Sequence, residues 1–265
     1  MARVEREATA VRYDPTGMLA HYRRECHRFL RLWRQTLFPP VLTATLYVLV
    51  FGKSLGSQIR EIDGFTYVQY IFPGLLIMGV INNSYANVAT SLYVARTERF
   101  IEDLLTSPLS YFEMVLAYIG GSMTRGLLIS VLTMTIGIFL IGLTPAHPIL
   151  FFVTILSVTL LFASLGTLAA LWATSWDNVN MFVNFVITPL TFLGGVFYSI
   201  EMLPEPFKTA SRFNPMFYVI NAVRHSVLGA SDVPFLLSIG LLAPLALGLF
   251  ALCVHLFRIG YRIQS

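Results

Sequence analysis

Apolar residues are concentrated in six long runs along the chain, separated by short polar or aromatic segments. A helix needs about 20 mostly apolar residues to cross a bilayer core about 30 Å thick. The first run is shorter, but basic residues flank both of its ends. The pattern therefore predicts an all-α membrane protein with six transmembrane helices, over Thr36–Phe51, Tyr67–Tyr93, Ser122–Ile141, Ile149–Thr174, Val179–Ile200 and Phe235–Phe257.

The segment before the first run predicts a helix that lies on the membrane surface. Over residues 18–34, six apolar residues share one arc of a helical wheel and five arginines fall outside it. The arc consists of Leu19, Tyr22, Cys26, Phe29, Leu30 and Trp33. We expect Arg23, Arg24, Arg28 and Arg31 to lie among lipid phosphates. An ordinary soluble amphipathic helix is the open alternative.

A second amphipathic helix is predicted after the second apolar run, over residues 97–105. Its apolar face consists of Phe100, Ile101, Leu104 and Leu105, and its polar face of Glu98, Arg99, Glu102 and Asp103. Ser110 and Glu113 have the spacing of a capping box, which predicts that a new helix starts there. That helix should run into the membrane, with a hinge at Gly120-Gly121.

The longest connection, residues 201–234, is rich in aromatic and apolar side chains. Asn214 and Pro215 form an N-cap and first-turn pair, and Gly229 is a suitable C-cap, which predicts a helix of three to four turns. An exposed loop has no use for so many apolar residues. We therefore expect this segment to fold back into the outer leaflet as a re-entrant loop, or to cover a neighbouring subunit.

Charge distribution predicts that both termini are cytoplasmic. With that orientation, twelve lysines and arginines lie in cytoplasmic segments and five in outer segments, and Arg125 stays inside a span. The outer residues are Lys53, Arg60, Lys208, Arg212 and Arg224. An excess of lysine and arginine marks the cytoplasmic side of membrane proteins. The net charge of +4 is concentrated beside a span, which favours a membrane surface over nucleic acid as its partner.

Composition leaves no room for a soluble catalytic domain. Of 265 residues, 56% are hydrophobic and 12% are charged, and six spans occupy most of the length. Three parts are predicted: an N-terminal cytoplasmic segment with the interfacial helix (1–35), a transmembrane domain (36–257) with its cytoplasmic helix (97–107) and outer loop (201–234), and a cytoplasmic tail (258–265).

Nucleotide and metal sites are not predicted on this chain. Gly52-Lys53-Ser54 resembles the end of a phosphate-binding loop, but Tyr47 stands where the motif needs its first glycine. His21, Cys26 and His27 diverge around a helix, so they do not form a ligand set. We expect no cofactor and no catalytic residue here.

Polar side chains form stripes on two predicted spans. They are Asn83, Asn87 and Thr90 on the second span, and Asn180, Asn184, Thr188 and Thr191 on the fifth. Polar groups are costly in a bilayer unless they meet a partner, water or substrate. The stripes predict either a translocation path or a hydrogen-bonded seam between helices, and the sequence leaves both open. Arg125, near a span end, is expected to extend towards the cytoplasmic interface.

Four local motifs complete the pattern. They are Tyr70–Leu75, Arg99–Pro108, Phe192–Tyr198 followed by Leu203-Pro204, and the helix that begins at Asn214-Pro215 and ends at Arg224. With these motifs and this order of segments, the chain resembles the type-2 ABC transporter permeases over most of its length, most closely the YadH-like branch of that family.

This resemblance implies the type-2 ABC exporter fold and a twelve-helix homodimer in a bacterial inner membrane. Each copy would bind a separate cytoplasmic ATPase that holds ATP and Mg. Residues 97–107 match the family's coupling helix, so the resemblance assigns ATPase coupling to Arg99, Phe100, Ile101, Glu102, Leu104 and Leu105. The family's substrate path runs near the dimer axis, between the second and fifth spans. The implied cargo is amphipathic: a lipid, a glycolipid or polysaccharide, or a drug-like molecule.

A gradient-driven secondary transporter or a channel, without an ATPase partner, is the alternative. Ion coupling usually needs ionisable residues deep in the spans. Apart from Arg125, the predicted spans carry essentially none. A membrane-embedded enzyme would need clustered histidine, aspartate or glutamate at membrane depth, and the sequence places no such cluster there.

Overall fold

The computed structural model describes residues 14–54, 61–62 and 64–263. Within these ranges the chain is helical, apart from turns and one isolated β-bridge between Ile62 and Phe65. The α-helices are α1 (Pro15–Arg31), α2 (Trp33–Thr36), α3 (Phe38–Ser54), α4 (Tyr67–Thr97), α5 (Phe100–Thr106), α6 (Tyr111–Ile141), α7 (Pro148–Trp172), α8 (Trp176–Phe182), α9 (Thr188–Leu193), α10 (Glu205–Arg212), α11 (Pro215–Leu228) and α12 (Phe235–Arg258).

Some sequence-based expectations concern residues that lie outside the described ranges. They are the predicted N-terminal segment before Asp14, the outer-loop residues 55–60 with Arg60, and residues 264–265 of the predicted tail.

The first three helices do not form one straight helix, because a single non-helical residue separates each from the next. Leu32 separates α1 from α2, and Leu37 separates α2 from α3. The Thr36 hydroxyl donates to the carbonyl of Phe29 at 2.8 Å and so closes the first corner. Two prolines, at positions 39 and 40, fall in the first turn of α3, where a missing N–H breaks no helical hydrogen bond.

The centre of the bundle is built on α4, α6 and α7. Both α4 and α6 are 31 residues long, which corresponds to about 46 Å of helix. Small residues let these helices approach closely: a Cβ at Gly166 of α7 would lie 2.5 Å from the carbonyl oxygen of Tyr85 in α4. A Cβ at Gly126 of α6 would likewise lie too close to the side chains of Ser84 and Thr159.

Capping fixes where the two long helices begin. Thr66 and Gln69 form a capping box at α4, and Ser110 and Glu113 form the predicted one at α6. Gly142, with φ of 65°, ends α6 in the left-handed conformation. The helix continues unbroken through the predicted hinge at Gly120-Gly121, so these two glycines do not interrupt α6.

The predicted fifth span is not one regular helix. Between α8 and α9 lies a π-helical segment, Val183–Ile187, in which the Thr188 N–H donates to the carbonyl of Val183. Pro189 explains this change, because it has no N–H for the carbonyl four residues earlier. The helix then ends at Leu193, seven residues before the predicted end, and a turn follows.

The segment after α9 returns into the bundle. α11 begins and ends as the sequence predicts: the Asn214 side chain accepts from the Met216 N–H at 2.9 Å, and Gly229 caps the end with φ of 78°. α11 packs against α4, α7 and α12, and most of its residues are buried. Below, the "α5 end" of the bundle is where α4 ends and α6 begins, and the "α11 end" is the opposite one.

Four stretches are long and apolar enough to cross a membrane: Trp33–Gly52, α6, α7 and α12. Among the described residues, two predicted spans are not in this group. α4 is long, but its amide side chains make it less apolar, and the α8–α9 stretch is divided by the π-helical segment. The chain is therefore an all-helical membrane protein with several apolar helices of membrane length.

Candidate functional site

Helix α5 occupies the turn between the two longest helices of the bundle. Arg99, just before it, has φ of 61°, and this left-handed conformation lets the chain reverse direction after α4. Ile101 is 2% exposed and packs into the core of its own chain, whereas Phe100 is 58% exposed. Glu102 is exposed as well, and Leu104 and Leu105 are half-buried. The predicted apolar face is thus divided, and Ile101 is not available to a partner.

A buried carboxylate joins the start of α1 to the start of α6 beside α5. Glu113, in the first turn of α6, accepts hydrogen bonds from the N–H of Asp14 at 2.8 Å and from the N–H and hydroxyl of Ser110 at 2.8 and 2.6 Å. Three donors compensate for the loss of water around the charge. The start of α1 and the start of α6 are therefore fixed to each other at the α5 end.

Helix α1 packs on α6 through a face that includes only part of its predicted apolar arc, at Tyr22 and Phe29. Its buried residues are His21, Glu25 and Phe29, while Leu19 and Trp33 of the predicted arc are 41% and 51% exposed. The close approach requires glycine, because a Cβ at position 121 would lie 2.6 Å from the Cβ of Glu25. The exposed part of the arc, at Leu19, Leu30 and Trp33, stays free to contact lipid.

Two more contacts fix the rotation of α1 on α6. The hydroxyls of Tyr22 and Thr124 are 2.7 Å apart, within hydrogen-bonding distance. The rings of His21 and Tyr118 meet edge to face, with centroids 4.5 Å apart. Burial, assisted by the nearby Arg24 charge, lowers the pKa of His21 to about 4, so this ring is neutral at pH 7.

A buried polar cluster joins α1 to α4. One nitrogen of the Arg28 guanidinium donates to the carbonyl and to the side-chain oxygen of Asn87, at 2.9 and 3.0 Å. It also contacts the Glu25 carboxylate at 3.1 Å. The Asn87 amide donates to the hydroxyl of Ser122 in α6 at 3.1 Å. Asn87 thus connects three helices at one point.

The same cluster receives a second arginine from α6. Arg125 donates to the side-chain oxygen of Asn83 at 2.5 Å, to that of Asn87 at 3.4 Å and to the carbonyl of Thr36 at 3.2 Å. The guanidinium of Arg125 is therefore held by amide and carbonyl oxygens, one of them at Thr36, where the predicted first span begins.

The four predicted membrane-surface arginines have different positions. Arg23 and Arg31 are exposed on α1, and the side chain of Arg24 is 55% exposed while it contacts Glu25 at 3.4 Å. Arg28 does not share this outward position, because Asn87 and Glu25 hold it against α4. The sequence pattern could not separate Arg28 from the others, since its partners are 59 residues away in the chain.

The two predicted polar stripes do not face each other within one protomer. The face of α4 that meets α8 carries Tyr85, whose hydroxyl donates to the carbonyl of Val179 at 2.9 Å. Asn83 and Asn87, two positions away on either side, point to the opposite face. The α4 stripe is therefore part of a seam between α1, α4 and α6, and Thr90 lies beside it, half-buried.

The stripe on the fifth apolar stretch is split by the π-helical segment. Asn180 and Asn184 are exposed, next to Phe185 at 78% exposure. Thr188 is half-buried, and Thr191 is buried with its hydroxyl donating to the carbonyl of Ile187 at 2.7 Å. A wheel drawn with a constant 3.6-residue period places all four on one side, but the wider π turn changes the phase after position 183.

Sequence reasoning missed a buried ion pair at the α11 end. Arg224 is 1% exposed and lies 3.5 Å from the carboxylate of Asp232. Its guanidinium also donates to the carbonyl of Gly195 at 2.6 Å and covers the Tyr70 ring at 4.1 Å. The Ser199 hydroxyl donates to Asp232 at 2.9 Å. The available signal was an arginine inside the apolar sequence of α11, where charge distribution alone predicts only an outer position for Arg224.

Three of the four local motifs meet around this pair. Tyr70 and Gly74 come from the first motif, Gly195 and Val196 from the third, and Arg224 from the fourth. A Cβ at Gly74 would lie 3.0 Å from the Cα of Val196, so the backbones are in direct contact. The remaining motif is the α5 region, at the other end of the bundle.

Comparison with known proteins assigns the family. A family model described as ABC-2 type transporter matches residues 16–228, which is most of the chain. The chain belongs to the ABC-2 type transporter family. This agrees with the resemblance found in the sequence motifs.

Individual ABC-2 relatives match over nearly the full length. The inner membrane transport permease YadH of Escherichia coli strain K12 is 39% identical over 242 residues, which cover 91% of this chain and 94% of the relative. Nodulation protein J of Rhizobium meliloti strain 1021 is 26% identical over 219 residues, covering 80% and 82%. Nodulation protein J of Sinorhizobium fredii is 23% identical over 261 residues, covering 90% and 97%.

Membership of the ABC-2 type transporter family makes this chain a membrane permease of an ABC transporter, a transport subunit and not an enzyme. The geometry offers two candidate regions for function. One is α5 with its exposed Phe100, and the other is the polar seam between α1, α4 and α6.

Proposed function

We propose that this chain is the membrane-spanning subunit of an ATP-driven exporter in a bacterial inner membrane. Two copies pair, and each binds one cytoplasmic ATPase subunit, which holds ATP and Mg. Six segments cross the membrane, with both termini in the cytoplasm, and the α10–α11 segment is a re-entrant loop on the outer side. The cargo is amphipathic: a lipid, a glycolipid or polysaccharide, or a drug-like molecule. This chain supplies the path, and the partner supplies the energy.

The observation that carries this proposal is the exposure of Phe100 on α5. An aromatic side chain that is 58% exposed, with its neighbour Ile101 2% exposed, is an anchor on a firmly held helix. Phe100, with Leu104 and Leu105, would fill an apolar groove on the ATPase. Arg99 and Glu102 would fix the register through charge contacts.

Rigid attachment of α5 supports a mechanical role. α5 connects directly to α4 and α6, and Glu113 binds the start of α6 to the start of α1. A movement of the docked ATPase would therefore be passed to two long helices at once. The Arg28–Asn87 contact would carry the same movement into α1.

Pairing of two copies supports the substrate path. The exposed Asn180 and Asn184 lie on a face of the protomer with Met181 and Phe185, which are 43% and 78% exposed. Since the α4 stripe faces away from α8 within a protomer, the axis formed with a second copy would be lined first by the exposed Asn180 and Asn184. The path would then include Asn180, Asn184 and Thr188, with Asn83, Asn87 and Thr90 reached when the seam opens.

Photo-crosslinking tests the docking of the ATPase. A photoreactive amino acid is placed at position 100, or at position 207 as the control, because Phe207 on α10 is 62% exposed at the α11 end. After irradiation of cells, mass spectrometry identifies the partner. We expect a protein with a phosphate-binding loop at position 100 only. The same partner at position 207, or no ATP-binding protein at position 100, contradicts the proposal.

A further inference from the structure

A cavity of about 700 Å³ lies at the α5 end, between α1, the last turns of α4 and the ring of Phe100. Its volume lies within the range of small-molecule sites, about 300 to 1,000 Å³. The lining residues are Arg24, Glu25, His27, Arg28, Arg31, Leu32, Thr90, Ser91, Val94, Ala95 and Phe100.

One wall of the cavity is basic. Arg24, Arg28 and Arg31 recur at intervals of four and three residues, so they lie on one face of α1. Glu25 is the only acidic side chain of the lining, and it is already engaged by Arg24 and Arg28 at 3.4 and 3.1 Å. The wall therefore carries a net positive charge that one glutamate does not neutralise, and guanidinium groups bind phosphate well.

The opposite wall suits a lipid chain with a polar end. Thr90 and Ser91 of α4 add two hydroxyl-bearing side chains to the lining, and Val94 and Ala95 follow one turn later. Phe100 closes the side towards α5. A basic wall beside hydroxyls and apolar side chains fits a ligand with an anionic head and an acyl tail.

The position of the cavity favours a ligand from the membrane. α1 leads directly into Trp33–Gly52, the first apolar stretch of membrane length, which would place its arginines at the depth of the headgroups. Its exposed residues Leu19 and Leu30 would face the acyl region.

We propose that this cavity binds the phosphate-bearing headgroup of an acyl lipid in the leaflet at the α5 end. Arg24 and Arg31 contact the phosphate, Thr90 and Ser91 donate hydrogen bonds to it, and the acyl chain leaves past Leu32. Arg28, which Asn87 holds in place, adds charge at the base of the site. Since Phe100 lines the same cavity, a bound lipid touches the helix proposed to receive the ATPase. The site itself does not depend on export activity.

Native mass spectrometry of the purified chain tests the site without any ATPase. The probes are phosphatidic acid, zwitterionic phosphatidylcholine with the same acyl chains, and soluble glycerol 3-phosphate. We expect phosphatidic acid to bind at least about tenfold more tightly than either of the others. Equal binding of phosphatidylcholine removes the role of the anionic phosphate, and equal binding of glycerol 3-phosphate removes the lipid assignment.

Two pairs of substitutions separate this cavity from general attraction to the basic helix. Arg24→Gln with Arg31→Gln removes two charges from the lining, and Arg23→Gln with Arg34→Gln removes two charges beside it. We expect the first pair to weaken binding of phosphatidic acid about tenfold and the second pair less than about twofold. Equal weakening by both pairs overturns the site.

A variant that changes no charge keeps the test decisive if the first pair folds poorly. Ser91→Phe places a ring in the cavity while all arginines remain. We expect it to reduce phosphatidic acid binding to the level of phosphatidylcholine, with the melting temperature of the chain unchanged. Unchanged binding by a folded Ser91→Phe chain also overturns the site.

Discussion

Arg28 of α1 and Asn87 of α4 share two hydrogen bonds, one to the backbone carbonyl of Asn87 at 2.9 Å and one to its side chain at 3.0 Å. This contact brings a positive charge from a surface helix into a helix of the bundle core. The side chain of Asn87 also lies 3.4 Å from Arg125 and donates to Ser122, so one amide holds three helices in register.

Replacement of Asn87 tests this cluster. In Asn87→Leu, Arg28 and Arg125 both lose an acceptor inside the bundle, which should lower the free energy of unfolding by about 2 to 4 kcal/mol. Thr90→Val, one turn further along α4, is the control and should cost less than about 1 kcal/mol. Unfolding of both variants in detergent gives the comparison, and equal stability of the two would mean that Asn87 is not a central contact.

Close packing between α1 and α6 is tested at Gly121. Gly121→Ala places a methyl group 2.6 Å from the Cβ of Glu25, and we expect a loss of about 1 to 3 kcal/mol because the two backbones must separate. The control is Gly248→Ala in α12, where no atom lies within 4 Å of the added Cβ. That change should be neutral or stabilise the chain by up to about 1 kcal/mol. Thermal unfolding of both variants measures the two changes in stability, and an equal effect of the two substitutions would contradict close packing at Gly121.

The anchor at Glu113 is tested by removing its charge. Glu113→Gln has one carboxamide oxygen in place of two carboxylate oxygens that accept three hydrogen bonds, so we expect a loss of about 1 to 3 kcal/mol and easier proteolysis around Asp14. Glu102→Gln, on the exposed side of α5, should change stability by less than about 0.5 kcal/mol. Similar proteolysis of both variants would exclude an anchoring role for Glu113.

His21 predicts a dependence of stability on pH. Its pKa in the folded chain is about 4, below the ordinary histidine pKa of 6.5, so between these pH values the unfolded chain takes up a proton that the folded chain does not. Stability is therefore full above pH 6.5 and falls as the pH decreases towards 4. By pH 4.5 the loss should reach about 2 kcal/mol, and His21→Phe should remove it. The melting temperatures of both chains at pH 7.5 and 4.5 give the test.

Much of the helical pattern was predictable from the sequence because it depends on local rules. The boundaries of α11 follow from Asn214, Pro215 and Gly229, and the start of α6 follows from the Ser110–Glu113 capping box. Such signals act within one turn of helix, so no tertiary information is needed. The predicted hinge at Gly120-Gly121 is wrong: these two glycines allow the close approach of α1 and leave α6 unbroken.

The candidate sites were less predictable because their partners are distant in the chain. Arg28 and Asn87 are 59 residues apart, and nothing local distinguishes Arg28 from the exposed Arg31. The prediction of one polar stripe over Asn180–Thr191 depends on a constant helical period, and the π-helical segment interrupts that period. A proline inside the predicted span was the available warning, since Pro189 frees a carbonyl and permits a change of period.

Transmission of force through α5 is tested most directly by ATP hydrolysis in reconstituted vesicles. The ATPase identified by crosslinking is added to vesicles that contain the native chain, Phe100→Asp, or Phe207→Asp as the control. We predict that the native chain and Phe207→Asp bind the ATPase and change its rate of hydrolysis, whereas Phe100→Asp does neither. Full binding and an unchanged rate with Phe100→Asp would contradict it.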